Sequence, residues 1–429
     1  MFRYGEMILY RNFKRQDIVE DFVRLQSGSL QQKEGRSLFA DVAARLVNIA
    51  DDYGFSGNLW NCFLTFLLCN NENPYSCACE IRGEIEGSIN NIALHDMTIF
   101  REQFCGGLES TAEYADEALI GLLKDYKPAV NNGKSFNKRI RDSICHIAQL
   151  LQDSKSPEEF KGIVTGFYKN FGVGRFGLNK AFRIKGEGEN TVIEPISNII
   201  HVQLEDLVGY EIAKKKLIDN TEAFVAGRSA NNCLLYGDAG TGKSTCIKAL
   251  ANMYYERGLR IIEVYKHQFK SLVDVIAEIK NRNYKFILYM DDLSFEEFET
   301  DYKYLKAVIE GGLEKKPDNV LIYATSNRRH LIRETFRDKN DRDEELHTND
   351  TVQEKLSLSN RFGVSIYFGR PDKFQFQKIV KGLAERNGID MEEEKLYLEA
   401  NKWELSHGGL SGRTAQQFID YLKGGMVEI

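Results

Sequence analysis

One octapeptide limits this chain of 429 residues more than any other feature. Gly237-Asp-Ala-Gly-Thr-Gly-Lys-Ser244 satisfies G-x-x-x-x-G-K-[ST] at every fixed position. The apolar run Asn232-Cys-Leu-Leu-Tyr236 precedes it, and a helical pattern over 244–257 follows. A strand, a glycine-rich turn and a helix in that order form a phosphate cradle. Glycine lets backbone N–H groups turn inward around phosphate oxygens. The helix N-terminus adds partial positive charge. On this reading Gly237, Asp238, Ala239, Gly240, Thr241 and Gly242 wrap the phosphates, with Thr245 one residue beyond the loop. Lys243 reaches the β- and γ-phosphates, and Ser244 offers its hydroxyl to Mg²⁺.

The residues around this loop set the fold class. Apolar runs at 232–236, 260–265, 285–290, 320–325 and 364–368 alternate with helical patterns. Each run is nearly continuous, as in parallel strands buried on both faces. The expectation is a doubly wound α/β sheet. After Pro371 the pattern is helical only, over 372–387, 392–403 and 411–423, which predicts a C-terminal helical lid.

The first half has a different character. Helical periodicity runs through 37–53, 59–68, 143–151 and 157–171. A Gly-, Lys- and Glu-rich stretch over 172–194 marks the boundary. The expected organisation is a mainly α-helical N-terminal region over 1–190, a nucleotide-binding core over 191–370 and a lid over 371–429. Within the boundary, Gly172-Val-Gly-Arg-Phe-Gly177 has the G-x-G-x-x-G spacing of a dinucleotide site. A helical pattern precedes it where such a site needs a strand, so it reads as a turn.

Composition narrows the setting. Apolar residues make up 42% and charged residues 28%, which excludes a mainly disordered or fibrous chain. The apolar stretch 58–70 is shorter than the roughly 20 residues of a membrane span. The N-terminus lacks a signal-peptide pattern, and the eight cysteines include no CxxC pair. A cytoplasmic protein with no membrane span is expected. The net charge of −6 argues against general coating of nucleic acid, though not against a local basic patch.

Further chemistry sits at the strand ends. Phe286-Ile-Leu-Tyr-Met-Asp-Asp292 is an apolar run ending in two acids. Asp291 is placed to hold Mg²⁺ and Asp292 to orient or deprotonate an attacking water. Glu296 and Glu297 are the alternatives to Asp292 as base. The run 320–325 ends in Ser326 and Asn327, and Asn327 is placed to hydrogen-bond that water or the phosphate. Arg361 and Arg413 follow; alone, each reads as a surface ion-pair partner. The charged segment 333–350 reads as a solvated helix and loop, with a moving inter-subunit contact as the sharper alternative.

In order and spacing these motifs resemble those of AAA+ ATPases over about residues 201–429. More narrowly, Asp291-Asp-Leu-Ser-Phe-Glu296, Tyr302-Lys-Tyr-Leu-Lys306 and Ala324-Thr-Ser-Asn-Arg-Arg-His-Leu331 are similar to the DUF815 group of bacterial predicted ATPases. The resemblance implies ATP and Mg²⁺ as cofactors. It implies that Val208, Gly209 and Tyr210 form part of the adenine pocket. It makes Asn327 the sensor-1 residue, Arg361 a finger acting on a neighbour's ATP, and Arg413 a sensor-2 arginine acting in cis. It also implies a homo-oligomer, commonly a ring of six, that hydrolyses ATP to remodel a protein or nucleic-acid complex. Asp292 stands where many AAA+ proteins have Glu, one methylene longer. That departure favours the alternative, a nucleotide-gated assembly switch with very slow hydrolysis.

Overall fold

The computed structural model describes residues 2–128, 138–186, 188–196, 199, 202–296, 299, 301–310, 317–329, 331 and 358–425. The chain divides into two compact units, Met1–Asn179 and Lys180–Ile429.

The first unit is helical. Its helices include Gln16–Gln26, Gln32–Tyr53, Leu59–Asn70, Pro74–Arg82, Ser88–Gly106, Lys138–Gln152 and Pro157–Phe171. Local chemistry sets several starts. The Asn58 and Ser156 side chains accept from the backbone N–H groups three residues on. Asn73 forms a capping box with Ser76, and Pro74 fills the first helical position. Aromatic rings fill the core: Trp60 is fully buried and stacks on Phe22 with centroids 3.6 Å apart. Asp96 is buried too, and its carboxylate accepts from the N–H groups of Ile8, Leu9 and Tyr10 at 2.7–3.1 Å, which pins the N-terminal segment to this core. The Gly172–Gly177 motif follows the helix Pro157–Phe171 and leads into a short helix, Gly174–Leu178. A Cβ on Gly177 would stand 2.8 Å from the carbonyl carbon of Gly172, so close backbone packing explains that glycine.

The second unit is a sheet of seven strands: β1 (Ala181–Lys185), β2 (Val192–Pro195), β3 (Cys233–Gly237), β4 (Leu259–Glu263), β5 (Lys285–Met290), β6 (Val320–Ser326) and β7 (Val364–Phe368). The order is β2-β1-β4-β5-β6-β3-β7. All neighbours run parallel except β1 and β2. This is the doubly wound α/β sheet expected from the five apolar runs. Two further strands, β1 and the edge strand β2, extend it beyond β4. In β1, buried Phe182 and Ile184 alternate with outward-facing polar residues, a half-buried pattern unlike the continuous runs of the centre. The sheet therefore begins inside the stretch read as a boundary.

β6 lies between β5 and β3 and is buried at all seven positions. Leu235, Ile287, Leu321 and Tyr323 pack under the helix Lys243–Tyr254 through Cys246, Ile247 and Leu250. Three lid helices follow, Lys373–Arg386, Glu393–Ser406 and Gly412–Lys423. They close around a core of their own, with Phe376, Val380, Ala400, Phe418 and Ile419 buried. Among the described residues no helix is long and apolar enough to cross a membrane.

Candidate functional site

A cleft of about 980 Å³ opens at the C-terminal ends of β3, β5 and β6 and is covered by the lid helices. The loop 237–244 forms its floor. Gly237 has φ +133°, and a Cβ there would stand 2.1 Å from the Phe368 carbonyl oxygen of β7. Gly242 has φ +90°, and a Cβ there would stand 2.3 Å from the Leu207 side chain. Only glycine satisfies both the backbone angle and the space.

Lys243 is 7% exposed. Its ammonium donates to the carbonyls of Gly237 and Asp238 at 2.8 and 2.6 Å and to Asn327 Oδ1 at 3.1 Å. Burial draws its pKa below the ordinary lysine value, against the opposing pull of Asp238, Asp292 and Asp291. A buried cation among glycines, with a helix N-terminus behind it, fits an anion carrying several oxygens.

The two acids after β5 make separate contacts. Asp291 Oδ1 accepts from Ser244 Oγ at 2.7 Å and from Thr325 Oγ1 at 2.6 Å. Burial opposes ionisation of Asp291, but these hydroxyl donors prevail and leave its pKa below the ordinary carboxyl value. A carboxylate beside a serine hydroxyl is an oxygen donor set that fits Mg²⁺. Asp292 occupies the left-handed region with φ +50°, which Asp tolerates better than most residues. Its N–H donates to Thr325 Oγ1 at 2.9 Å, and its Oδ1 accepts from Asn327 Nδ2 at 2.7 Å. Thr325 thus sets both acids. Thr325 and Ser326 carry the hydroxyls that end this otherwise apolar strand, and that is the signal that marks Thr325 in the sequence.

The far end of the cleft is apolar. Val202, Leu207, Val208 and Tyr210 line one wall, and Ile379 and Leu383 of the lid line the other. Tyr210 has φ +59°, and its hydroxyl donates to the Gly369 carbonyl at 3.0 Å. Burial and nearby Asp238 push its pKa up to about 12. Arg386, at the end of the first lid helix, donates to the backbone carbonyls of Asp206 and Glu205 and fastens the lid to this wall. Arg413 lines the cleft from the start of the last lid helix, and its N–H donates to the Gly240 carbonyl at 3.2 Å.

Most residues singled out from the sequence therefore share one cleft: Ala239, Gly240, Thr241, Gly242, Lys243, Ser244, Thr245, Val208, Tyr210, Asp291, Asp292, Asn327 and Arg413. Gly237, Asp238 and Gly209 shape the loops without lining it. Asp238 Oδ2 accepts from the Arg370 N–H at 2.9 Å, tying the phosphate loop to the start of the lid. Arg361 does not line the cleft either; it pairs with Glu310 of the same chain, Nε to Oε1 at 2.6 Å. Glu296 lies outside the lining. Glu297 and the segment 333–350 lie outside the described residues. Sequence reasoning missed Thr325, Arg370 and Arg386, whose roles depend on distant partners.

The family model described as "Protein of unknown function (DUF815)" matches residues 178–426. The chain belongs to the DUF815 family. Its matched span holds the whole cleft, from Val202 to Gln417, and the sheet and lid are the fold that the AAA+ resemblance implies. The DUF815 chain is also similar to the replication factor C large subunit of Staphylothermus marinus, 36% identical over 74 residues. That match spans 17% of this chain and 17% of the relative's length. Among solved structures, a mutant of Thermotoga maritima RuvB matches over 52% of this chain and 65% of its own, with 17% identity and a TM-score of 0.37. The Thermotoga maritima RuvB Holliday junction branch migration motor matches over 51% and 72%, with 14% identity and a TM-score of 0.33.

Proposed function

We propose that this protein is a Mg²⁺-dependent ATPase that works as a homo-oligomer and remodels a protein or nucleic-acid complex. The observation that carries the reading is the convergence of Lys243, Ser244, Asp291, Asp292 and Asn327 at one end of a cleft whose other end is apolar. Triphosphate chemistry belongs at the first end and a base at the second.

The reaction is in-line attack of water on the γ-phosphorus, with breakage of its bond to the bridging oxygen of ADP. Lys243 releases its backbone carbonyls and takes phosphate oxygens. Ser244 and Asp291 would hold Mg²⁺, which would supply neutralisation of charge on the phosphates. Asp292 accepts the proton of the attacking water, and Asn327 fixes the direction of that carboxylate. Arg413 approaches from the lid, so nucleotide binding and lid position are linked. Arg361 pairs with Glu310 of its own chain and does not line its own cleft; on this reading it leaves Glu310 to act on a neighbouring subunit's nucleotide. Each site then spans two subunits, and hydrolysis couples to their relative movement. The helical unit Met1–Asn179 grips the target.

A second reading has its own observation. Asp292 is one methylene shorter than Glu and its carboxylate is already held by Asn327. A base so restrained turns over slowly, and ATP would then act as an assembly switch. Asp292→Asn separates the two: a motor loses its biological output while still assembling, whereas a switch keeps it. Phosphate release from Mg²⁺–ATP, for the wild type and for Lys243→Ala, tests the primary reading. Equal release by both would reject it.

A further inference from the structure

A buried hydroxyl beside the site has no part in the proposed reaction. Tyr289 is 2% exposed and sits two residues before Asp291. Side chains two apart on a strand share a face, so Tyr289 and Asp291 leave the chain on the same side. Its hydroxyl faces Asp291, Ser244 and Thr325 and makes no hydrogen bond among the described residues. The neighbouring strand offers a comparison. Tyr323 is directly opposite Tyr289 in register and is fully buried. Its hydroxyl meets Thr221 and Asn220, each at 2.9 Å. Of two adjacent buried phenols, one is satisfied by its own scaffold and the other ends unpaired beside the candidate cation site. A buried hydroxyl without a partner is costly, and Phe would fill the same space without that cost.

We propose that Tyr289 is a positioning residue for Asp291, its hydroxyl serving as the donor to that carboxylate when the Ser244 oxygen is engaged by Mg²⁺. This rests on the Mg²⁺–nucleotide reading above. In the described state Asp291 Oδ1 already takes two donors, Ser244 and Thr325. Loss of the Ser244 bond opens a place that the Tyr289 hydroxyl is free to fill, since the Thr325 proton is already committed and Lys248 acts on Asp291 only as a nearby charge. The phenol then holds the carboxylate toward the cation without touching it.

The test is Tyr289→Phe, with binding of fluorescent ADP measured in Mg²⁺ and in EDTA. The expected result is unchanged affinity in EDTA and a gain on adding Mg²⁺ that is smaller than wild type by about 3- to 10-fold, the worth of one hydrogen bond. The melting temperature without ligand stays at or above the wild-type value. Tyr323→Phe keeps the full Mg²⁺ gain. A wild-type Mg²⁺ gain in Tyr289→Phe would overturn the proposal. So would an equal loss in Mg²⁺ and EDTA, which marks a merely structural role. If wild type itself gains nothing from Mg²⁺, the cation-site reading fails and this proposal with it.

Discussion

Asn327 donates from Nδ2 to Asp292 Oδ1 at 2.7 Å and thereby joins the end of β6 to the turn after β5. Its other amide atom, Oδ1, accepts from Lys243 at 3.1 Å. One amide therefore spans the groups proposed to hold phosphate and to activate water. Asn327→Ala is expected to reduce turnover by more than about tenfold while fluorescent ADP binding changes little. A proportionate fall in both would instead assign Asn327 to ground-state binding.

Asp292→Asn keeps the shape and the contact to the amide but removes the base. Turnover is expected to fall by about 10²- to 10⁴-fold, the range for loss of a general base. Single-turnover phosphate release, with ADP affinity as the control, measures it. Unchanged release would move the base elsewhere.

Gly237→Ala tests the loop as a piece of backbone. The new Cβ would meet the Phe368 carbonyl in a left-handed backbone region. The strain alone is worth about 1–3 kcal/mol. The midpoint of urea unfolding without nucleotide is expected to fall accordingly. An unaltered midpoint would show that β3 and β7 separate easily at this point.

The acid limb of stability reports on Asp291. Its folded pKa lies below the ordinary value of 3.8, so the contribution of its ionised form is fully present above pH 3.8 and is lost as pH falls through the folded value. Thr325→Val removes a donor to the carboxylate and raises that folded value. The acid transition of the variant, followed by circular dichroism, is expected at higher pH than that of wild type. Coincident transitions would show that Thr325 does not hold the ionised form.

Much of this arrangement is legible in the amino-acid order because it is local. The central strands announce themselves as continuous apolar runs: 285–290 and 364–368 coincide with β5 and β7. The phosphate loop is legible because its glycines answer to backbone angles and close contacts within one short segment. The outer strands β1 and β2 beyond β4 are not, because a half-buried strand of four or five residues amid Gly, Lys and Glu has no periodicity long enough to stand out. Thr325 escapes for another reason: its hydroxyl acts on acids 33 and 34 residues away, a relation that exists only once β5 and β6 pair. Likewise Arg386 finds its carbonyl partners 180 residues earlier.

In the proposed mechanism the ATPase site is shared, completed by an arginine from a second subunit. Its most direct test is phosphate release per subunit from Mg²⁺–ATP as protein concentration rises, with Arg361→Ala alongside. Specific activity is expected to climb with concentration, and the variant to lose about 10³-fold or more at unchanged nucleotide affinity. Equal release by wild type and Arg361→Ala at every concentration would contradict it.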